Sequence, residues 1–259
     1  MTKPADLATA RVHILQGGPI LPALVDALAG EDVAAIHLIG DAPITDLDVQ
    51  QSRHYRRADV GRRPSEVLRE RAVAGTRTQL TASTDVPASK LAWQDQLAGA
   101  TLAVALVAGP VLFTPWLEQV NEAAQDLGLA WTSAALLDGR ELHVGPTIIP
   151  GQTACYRCYE MRYKSNLTHF EAYSQFEAYA RTLSSFPDFG MLPPIAEIVA
   201  GVLAAEVVRF HTGERPISWG KLLTYDSTSF ALETHPVLKL PRCATCSPTV
   251  NAPAMRAWR

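Results

Sequence analysis

The chain holds four cysteines, and all of them fall into two CxxC pairs, Cys155-Tyr156-Arg157-Cys158 and Cys243-Ala244-Thr245-Cys246. Thiolates ligate borderline and soft metals, and a two-residue spacer lets one turn present two sulfurs to the same ion. Two such pairs supply one closed tetrahedral site, with sulfurs roughly 2.3 Å from a zinc ion. Four protein ligands leave no position for water or substrate. The expectation is therefore a structural Zn²⁺ on Cys155, Cys158, Cys243 and Cys246 that joins distant parts of the fold. Two redox dithiols are the alternative. A thioredoxin-like motif needs a strand before it and a helix starting at its first cysteine, whereas Cys155 follows Pro150-Gly151-Gln152-Thr153-Ala154, which reads as a loop. With no signal-peptide pattern and few cysteines for 259 residues, a disulfide framework is not expected.

The elements that must position these cysteines alternate in the α/β manner. Val12 to Leu15 reads as a short apolar strand, Leu21, Leu24, Val25 and Leu28 as one face of a helix, and Ala34 to Ile39 as the next strand. That βαβ unit has a right-handed crossover. A helix over Glu66 to Val73, an alternating segment near Thr78 to Thr84, and a strong strand over Leu102 to Val107 follow. Leu117, Val120, Ala124 and Leu127 mark another helix, and Ala130 to Leu136 another strand. The pattern predicts an α/β, Rossmann-like, mostly parallel sheet with flanking helices. A helical insertion lies between the CxxC pairs. Its aromatic stripe of Phe170, Tyr173, Phe176, Tyr179 and Leu183 reads first as core and second as an exposed docking ridge. Ile195, Ile198, Val199, Val202 and Ala205 form a further stripe, and Lys221 to Asp226 and Ser229 to His235 read as a hairpin. The division expected is residues 1–140 as the Rossmann-like half, 141–247 as a zinc-stapled half on the same core, and 248–259 as a loosely held tail.

In this fold class the first strand-to-helix turn decides whether a nucleotide binds, because glycines let the backbone approach a phosphate. The turn here is Gln16-Gly17-Gly18-Pro19-Ile20-Leu21. Against GxGxxG it keeps the middle glycine alone, and Pro19 removes a backbone donor. The expectation is a degraded phosphate turn.

Composition narrows the function classes. The chain is 47% hydrophobic and 19% charged with a net charge of -3, which gives no footprint for nucleic acid or an anionic membrane. No apolar run approaches the roughly 20 residues of a membrane span. A soluble, cytoplasmic protein is expected, with a homodimer left open. His13 and His37 read as core or edge histidines. His169, His211 and His235 fall in no catalytic pattern. The cluster Arg53-His54-Tyr55-Arg56-Arg57 with Arg62-Arg63 reads as a solvated loop, or as a relict phosphate or acidic-peptide surface.

Three groups of residues carry a family resemblance. Asp48-Val49-Gln50-Gln51-Ser52, Arg56 and Asp59-Val60-Gly61-Arg62 resemble the segment after the second strand in ThiF-like, ubiquitin-activating-type adenylating enzymes. The run Val144 to Cys158 with Arg162 and Asn166, and His235-Pro236-Val237-Leu238 ahead of Pro241-Arg242-Cys243-Ala244-Thr245-Cys246, resemble the adenylating-enzyme-like component of thiazole/oxazole-forming peptide cyclodehydratases. The resemblance implies a zinc-stapled fold, a YcaO-type ATPase and a precursor peptide as partners, and a relict nucleotide site at Gly17, Gly18, Asp48 and Arg56. The departures matter as much. The magnesium aspartate of adenylating relatives is absent from Val107-Ala108-Gly109-Pro110-Val111, and Arg63-Pro64-Ser65 stands where a lysine is expected. Adenylyl transfer depends on metal and cationic clamps, so ATP is not expected on this chain and no catalytic residue is assigned. The reading is a non-catalytic scaffold or partner-activating subunit in azoline/azole formation on a ribosomally made peptide. The alternative is an ATP-dependent adenylating enzyme acting on a peptide carboxylate. Such components often carry an N-terminal winged-helix module. The first strand begins near residue 11, so leader capture is expected on another subunit or a different surface.

Overall fold

The computed structural model describes residues 7–107, 114–136, 140–182 and 190–247. Its N-terminal part runs β1 (Arg11–Leu15), α1 (Ile20–Gly30), β2 (Ala35–Ile39), α2 (Asp46–Gln51), α3 (Pro64–Arg71), β3 (Gln79–Ser83), α4 (Lys90–Leu97), β4 (Leu102–Val107), α5 (Pro115–Leu127) and β5 (Trp131–Leu136). It continues through β6 (Glu141–Val144), α6 (Tyr156–Ser165), α7 (Phe170–Ala180), α8 (Pro193–His211), β7 (Lys221–Asp226) and β8 (Ala231–Pro236). One sheet takes all eight strands in the order β3-β2-β1-β4-β5-β6-β7-β8. The first five are parallel, and β5 to β8 pair antiparallel. The sheet therefore runs unbroken across position 140, and the order reverses between β1 and β4, where this fold class opens its ligand crevice.

Strand alternation assigns the two faces. Val12, Ile14, Ile36, Leu38, Val104 and Leu106 pack under α1, α3 and α8. Leu15, Ile39, Ala103, Ala105 and Val107 pack under α4, α5 and α6. All six residues of β4 are buried, which is why it reads as a continuous apolar run; each large side chain so buried contributes about 1.5–3 kcal/mol. The α8 stripe that packs is Ile195, Ala196, Val199, Ala200, Leu203 and Val207, while the expected Ile198 and Ala205 face solvent. Leu127 is likewise exposed, at the last turn of α5.

The core reading of the aromatic stripe on α7 fails. Phe170, Phe176 and Tyr179 are exposed, and the helix buries Glu177 and Ala180 instead. The reason is electrostatic: Lys164 on α6 pairs with both Glu160 (2.8 Å) and Glu177 (2.7 Å), and Arg157 closes on Glu160 (2.7 Å). That network turns the charged side of α7 inward. Leu183 and the tail 248–259 lie outside the described residues.

His13 and His37 are register partners on β1 and β2, half-buried, with ring centroids 5.1 Å apart. His13 Nδ1 lies 2.9 Å from the Gln96 carbonyl and His37 Nδ1 2.8 Å from Thr81 Oγ1. Burial, then the neighbouring His37, pull His13 down to about 4; burial also lowers His37. Among the described residues no helix is long and apolar enough to cross a membrane.

Two predictions follow from packing. Gly145 has φ +87°, and a Cβ there would meet Ser218 Cβ at 2.8 Å and the Lys221 carbonyl at 3.0 Å, so Gly145→Ala should lower unfolding free energy by about 2 kcal/mol or more in urea melts. Between about pH 6.5 and 4 the unfolded chain takes a proton that native His13 refuses, so stability falls as pH drops through that window. His13→Gln should flatten this part of a urea-midpoint profile; an unchanged slope would count against it.

Candidate functional site

Cys155 is the residue preceding the first turn of α6, and Cys158 lies within that turn. A helix does start at Cys155, but no strand leads into it: residues 150–154 form the expected loop, so only one of the two requirements of a redox motif is met. What decides the chemistry is the second pair. Cys243 Sγ sits 3.6 Å from Cys155 Sγ and Cys246 Sγ 3.5 Å from Cys158 Sγ, with Cys155 and Cys158 3.8 Å apart. All four sulfurs lie within 4.8 Å of one another. These separations are far longer than a disulfide bond of about 2.05 Å. They match the roughly 3.8 Å edges of a tetrahedron with 2.3 Å metal–sulfur bonds. Three of the cysteines are buried and Cys246 is half-exposed, beneath Val237 and Leu240. The Leu240 N–H donates to Cys158 Sγ (3.3 Å). Together with a hydrogen bond from Cys155 it draws the Cys158 thiol down, while Cys155 is pushed up. The donor set thus fits a closed tetrathiolate ion.

The cysteines are placed by α6 and by the segment after β8. Asn121 Oδ1 on α5 accepts the Tyr156 N–H (3.0 Å), and Tyr156 packs on Trp131 of β5 with centroids 5.6 Å apart. On the other side Arg162 donates to the carbonyls of Leu238 (3.2 Å) and Lys239 (3.4 Å). Lys239 Nζ reaches the Gly151 carbonyl (2.7 Å). Arg162, Asn166 and His235 to Leu238, which carry the resemblance outside the metal ligands, line one cavity of about 430 Å³ between α6 and the β6–β8 face. In its floor His143 bridges the Glu141 carboxylate (2.6 Å) and the Tyr159 hydroxyl (2.9 Å).

A second crevice, of about 380 Å³, opens at the C-terminal ends of β1, β2 and β4. Gly17, Gly18 and Asp48 line it; Arg56 does not, and its exposed side chain belongs to the loop outside. Gln16 occupies the position of the first fingerprint glycine yet holds φ +68°, the left-handed conformation that glycine adopts without strain. Its amide lies against Gly40, where an added Cβ would come 3.5 Å from Gln16 Oε1. Leu21, in place of the last glycine, is buried in the core. Of the loop expected to lack the magnesium carboxylate, Val107 lines the crevice and residues 108–111 lie outside the described residues.

Of the basic cluster, Arg62 and Arg63 are engaged by the fold, while Arg53, Arg56 and Arg57 are exposed. Arg71 forks onto buried Asp59 (2.6 and 2.7 Å) and holds its carboxyl below the usual range; Arg62 reaches Asp59 and Glu70. Arg63 donates to the Asp41 carbonyl (2.6 Å) and is not among the residues lining the crevice. Sequence reasoning missed α2 and the crevice residues Gln16, Tyr55 and Trp116. The signal for α2 was Thr45-x-x-Asp48, a capping box in which Asp48 Oδ2 accepts from the Thr45 N–H (2.8 Å) and hydroxyl (2.7 Å).

A doubly wound sheet with a switch-point crevice, antiparallel strands after β5 and a four-cysteine cluster beside them define the class of adenylating-enzyme-like α/β proteins. The ThiF family model matches residues 6–246, and the chain belongs to the ThiF family. No curated protein matches the chain at the sequence level. Among solved structures it is similar to Escherichia coli MccB with MccA-N7isoASN (19% identity, TM-score 0.76, 93% of this chain and 67% of that one). It is similar to MccB with ATP (20%, 0.74, 93% and 69%), and to PaaA (16%, 0.72, 90% and 74%). The chain spans about two thirds of the length of MccB, and at these identities the likeness is one of fold.

If the four sulfurs hold one ion, Cys243→Ser should lower both bound zinc and melting temperature, because metal binding energy becomes folding energy when the site does not exist in the unfolded chain. Elemental analysis alongside thermal melts checks this; a metal-free preparation with unchanged melting would refute it.

Proposed function

We propose that this chain is a non-catalytic, zinc-stapled subunit that presents a ribosomally made precursor peptide to a YcaO-type ATPase, or activates that ATPase, in azoline/azole formation. The observation that carries the reading is electrostatic. Among the described residues lining the switch-point crevice, the one charged side chain is Asp48, and residues 108–113, Ala-Gly-Pro-Val-Leu-Phe, add none. A triphosphate approaching transfer needs fixed cations or metal-holding carboxylates around it. Here Arg62, Arg63 and Arg71 are committed to Asp59, Glu70 and the Asp41 carbonyl, the exposed Arg53, Arg56 and Arg57 are not part of the crevice lining, and Asp48 would meet the phosphates with like charge. Zinc on Cys155, Cys158, Cys243 and Cys246 would tie residues 237–247 to α6, and a closed tetrathiolate supplies structure rather than Lewis acidity.

The second reading, an adenylating enzyme acting on a peptide carboxylate, is favoured by the crevice itself: the Gln16 turn keeps its left-handed backbone, and the similar MccB was solved with ATP.

Two measurements separate them. Millimolar ATP with Mg²⁺ should leave the melting temperature unchanged, since ligand stabilisation vanishes when the dissociation constant lies far above the ligand concentration. Reconstitution of precursor peptide, YcaO-type ATPase and this chain should give loss of one water per ring only when this chain is present. Peptide-driven pyrophosphate exchange by the chain alone would sink the scaffold reading.

A further inference from the structure

We infer that the switch-point crevice accepts a cation, the guanidinium or ammonium of a basic peptide side chain, held between Asp48, Tyr55 and Trp116; this rests on the peptide-presenting reading above. Three observations converge. Asp48 lines the crevice and takes both cap hydrogen bonds from Thr45 on Oδ2, so its second oxygen is not used by the cap. Tyr55 is 6% exposed, yet its hydroxyl has no hydrogen-bond partner, and the Thr114 hydroxyl at the same crevice also lacks one. A buried unpartnered hydroxyl is destabilising unless something outside the chain satisfies it. Trp116, stacked on Trp93 with centroids 5.9 Å apart, contributes an aromatic wall, and aromatic faces attract desolvated cations.

The helix N-termini at this edge, which in the fold class favour anions, are blunted. Pro19 precedes α1 and lacks an N–H, and the Leu21 N–H turns to the Gly18 carbonyl (3.2 Å). The helix α5 opens with Pro115, its Leu117 and Glu118 N–H groups both turn to the Thr114 carbonyl (3.1 and 3.3 Å), and Glu118 adds a carboxylate to its first turn. With Pro19 and Pro115 lacking N–H groups and part of the donor set turned inward, the full charge of Asp48 outweighs the partial charges that remain at these helix ends. The volume of about 380 Å³ admits a side chain and part of its backbone.

The test uses N-acetyl-arginine amide, N-acetyl-lysine amide and the neutral isostere N-acetyl-citrulline amide, titrated into the whole chain by NMR. The arginine or the lysine compound should saturate the site, and citrulline should bind at least about tenfold more weakly, the discrimination expected of a charge-assisted hydrogen bond. Asp48→Asn keeps an acceptor for the Thr45 cap and should lose that discrimination. Tyr55→Phe should weaken binding without lowering the melting temperature, since the hydroxyl has no internal partner to lose. Equal binding of citrulline, undiminished binding by Asp48→Asn, or no saturation by either cationic compound overturns the inference. A parallel ATP·Mg²⁺ titration keeps the two claims apart: nucleotide binding defeats the scaffold reading, whereas absence of both ligands defeats only the cation site.

Discussion

The junction at the four cysteines is the constraint on which the C-terminal half depends. It brings the first turn of α6 against a segment 88 positions further along the chain. That segment has few other anchors, because β8 is the outer strand of the sheet and all six of its residues are exposed. Besides the sulfur cluster, residues 237–247 are held by the Val237 N–H on the Gly220 carbonyl (2.9 Å), by Arg162 on two carbonyls, by Lys239 on Gly151, and by the apolar contacts of Val237 and Leu240, among others. An ion at this point would close a loop longer than a third of the chain, and loop closure is where a cross-link has its largest entropic effect. The cavity between α6 and the last three strands takes one of its walls from the same segment.

At the other end of the sheet the governing term is charge, not shape. The topology is intact: five parallel strands reverse order between β1 and β4, the crevice opens there, and Gln16 keeps the backbone of the turn. What has changed is the chemistry that lines it. Arginines close by in sequence are turned into ion pairs of their own, and Asp59, 1% exposed, is the hub that collects them. A buried carboxylate needs such partners, since leaving it unpaired is far more costly than any single surface salt bridge is worth. The same residues therefore hold the loop over residues 53–71 in place and are withdrawn from ligand binding.

Most of the sheet was legible because burial on both faces leaves long apolar runs, as in β1, β2, β4 and β5, and because glycine and proline punctuate them. The metal ligands were legible for a different reason: four cysteines in two pairs admit few other arrangements. Their convergence on one site followed from the same count; the elements that bring them there, the first turn of α6 and the segment after β8, were not readable. The short helices α2 and α4 escaped notice because each is one or two turns long, though Thr45 and Ser89 cap them through their side chains. The aromatic stripe of α7 misled because periodicity reports that a helix has two faces and is silent on which one is buried. There the inward face was decided by Glu177 meeting Lys164, a tertiary ion pair with no local signature. Tyr55 and Trp116 were invisible as crevice residues because they reach it from loops and helix ends that only the folded chain brings together.

The joint between α6 and α7 has a thermal consequence. Besides Ala180 and the ring contact of Tyr163 with Tyr173, the ion pair of Lys164 with Glu177 joins α7 to α6, with Glu160 and Arg181 flanking it. Apolar packing weakens as water cools and levels off on heating, whereas the desolvation penalty of a buried ion pair shrinks as temperature rises, so the pair gains relative weight in the heat. The exposed ridge of Phe170, Phe176 and Tyr179 thus rides on a mount held in part by charge, whose share of the holding energy rises with temperature while that of the apolar core beneath it levels off.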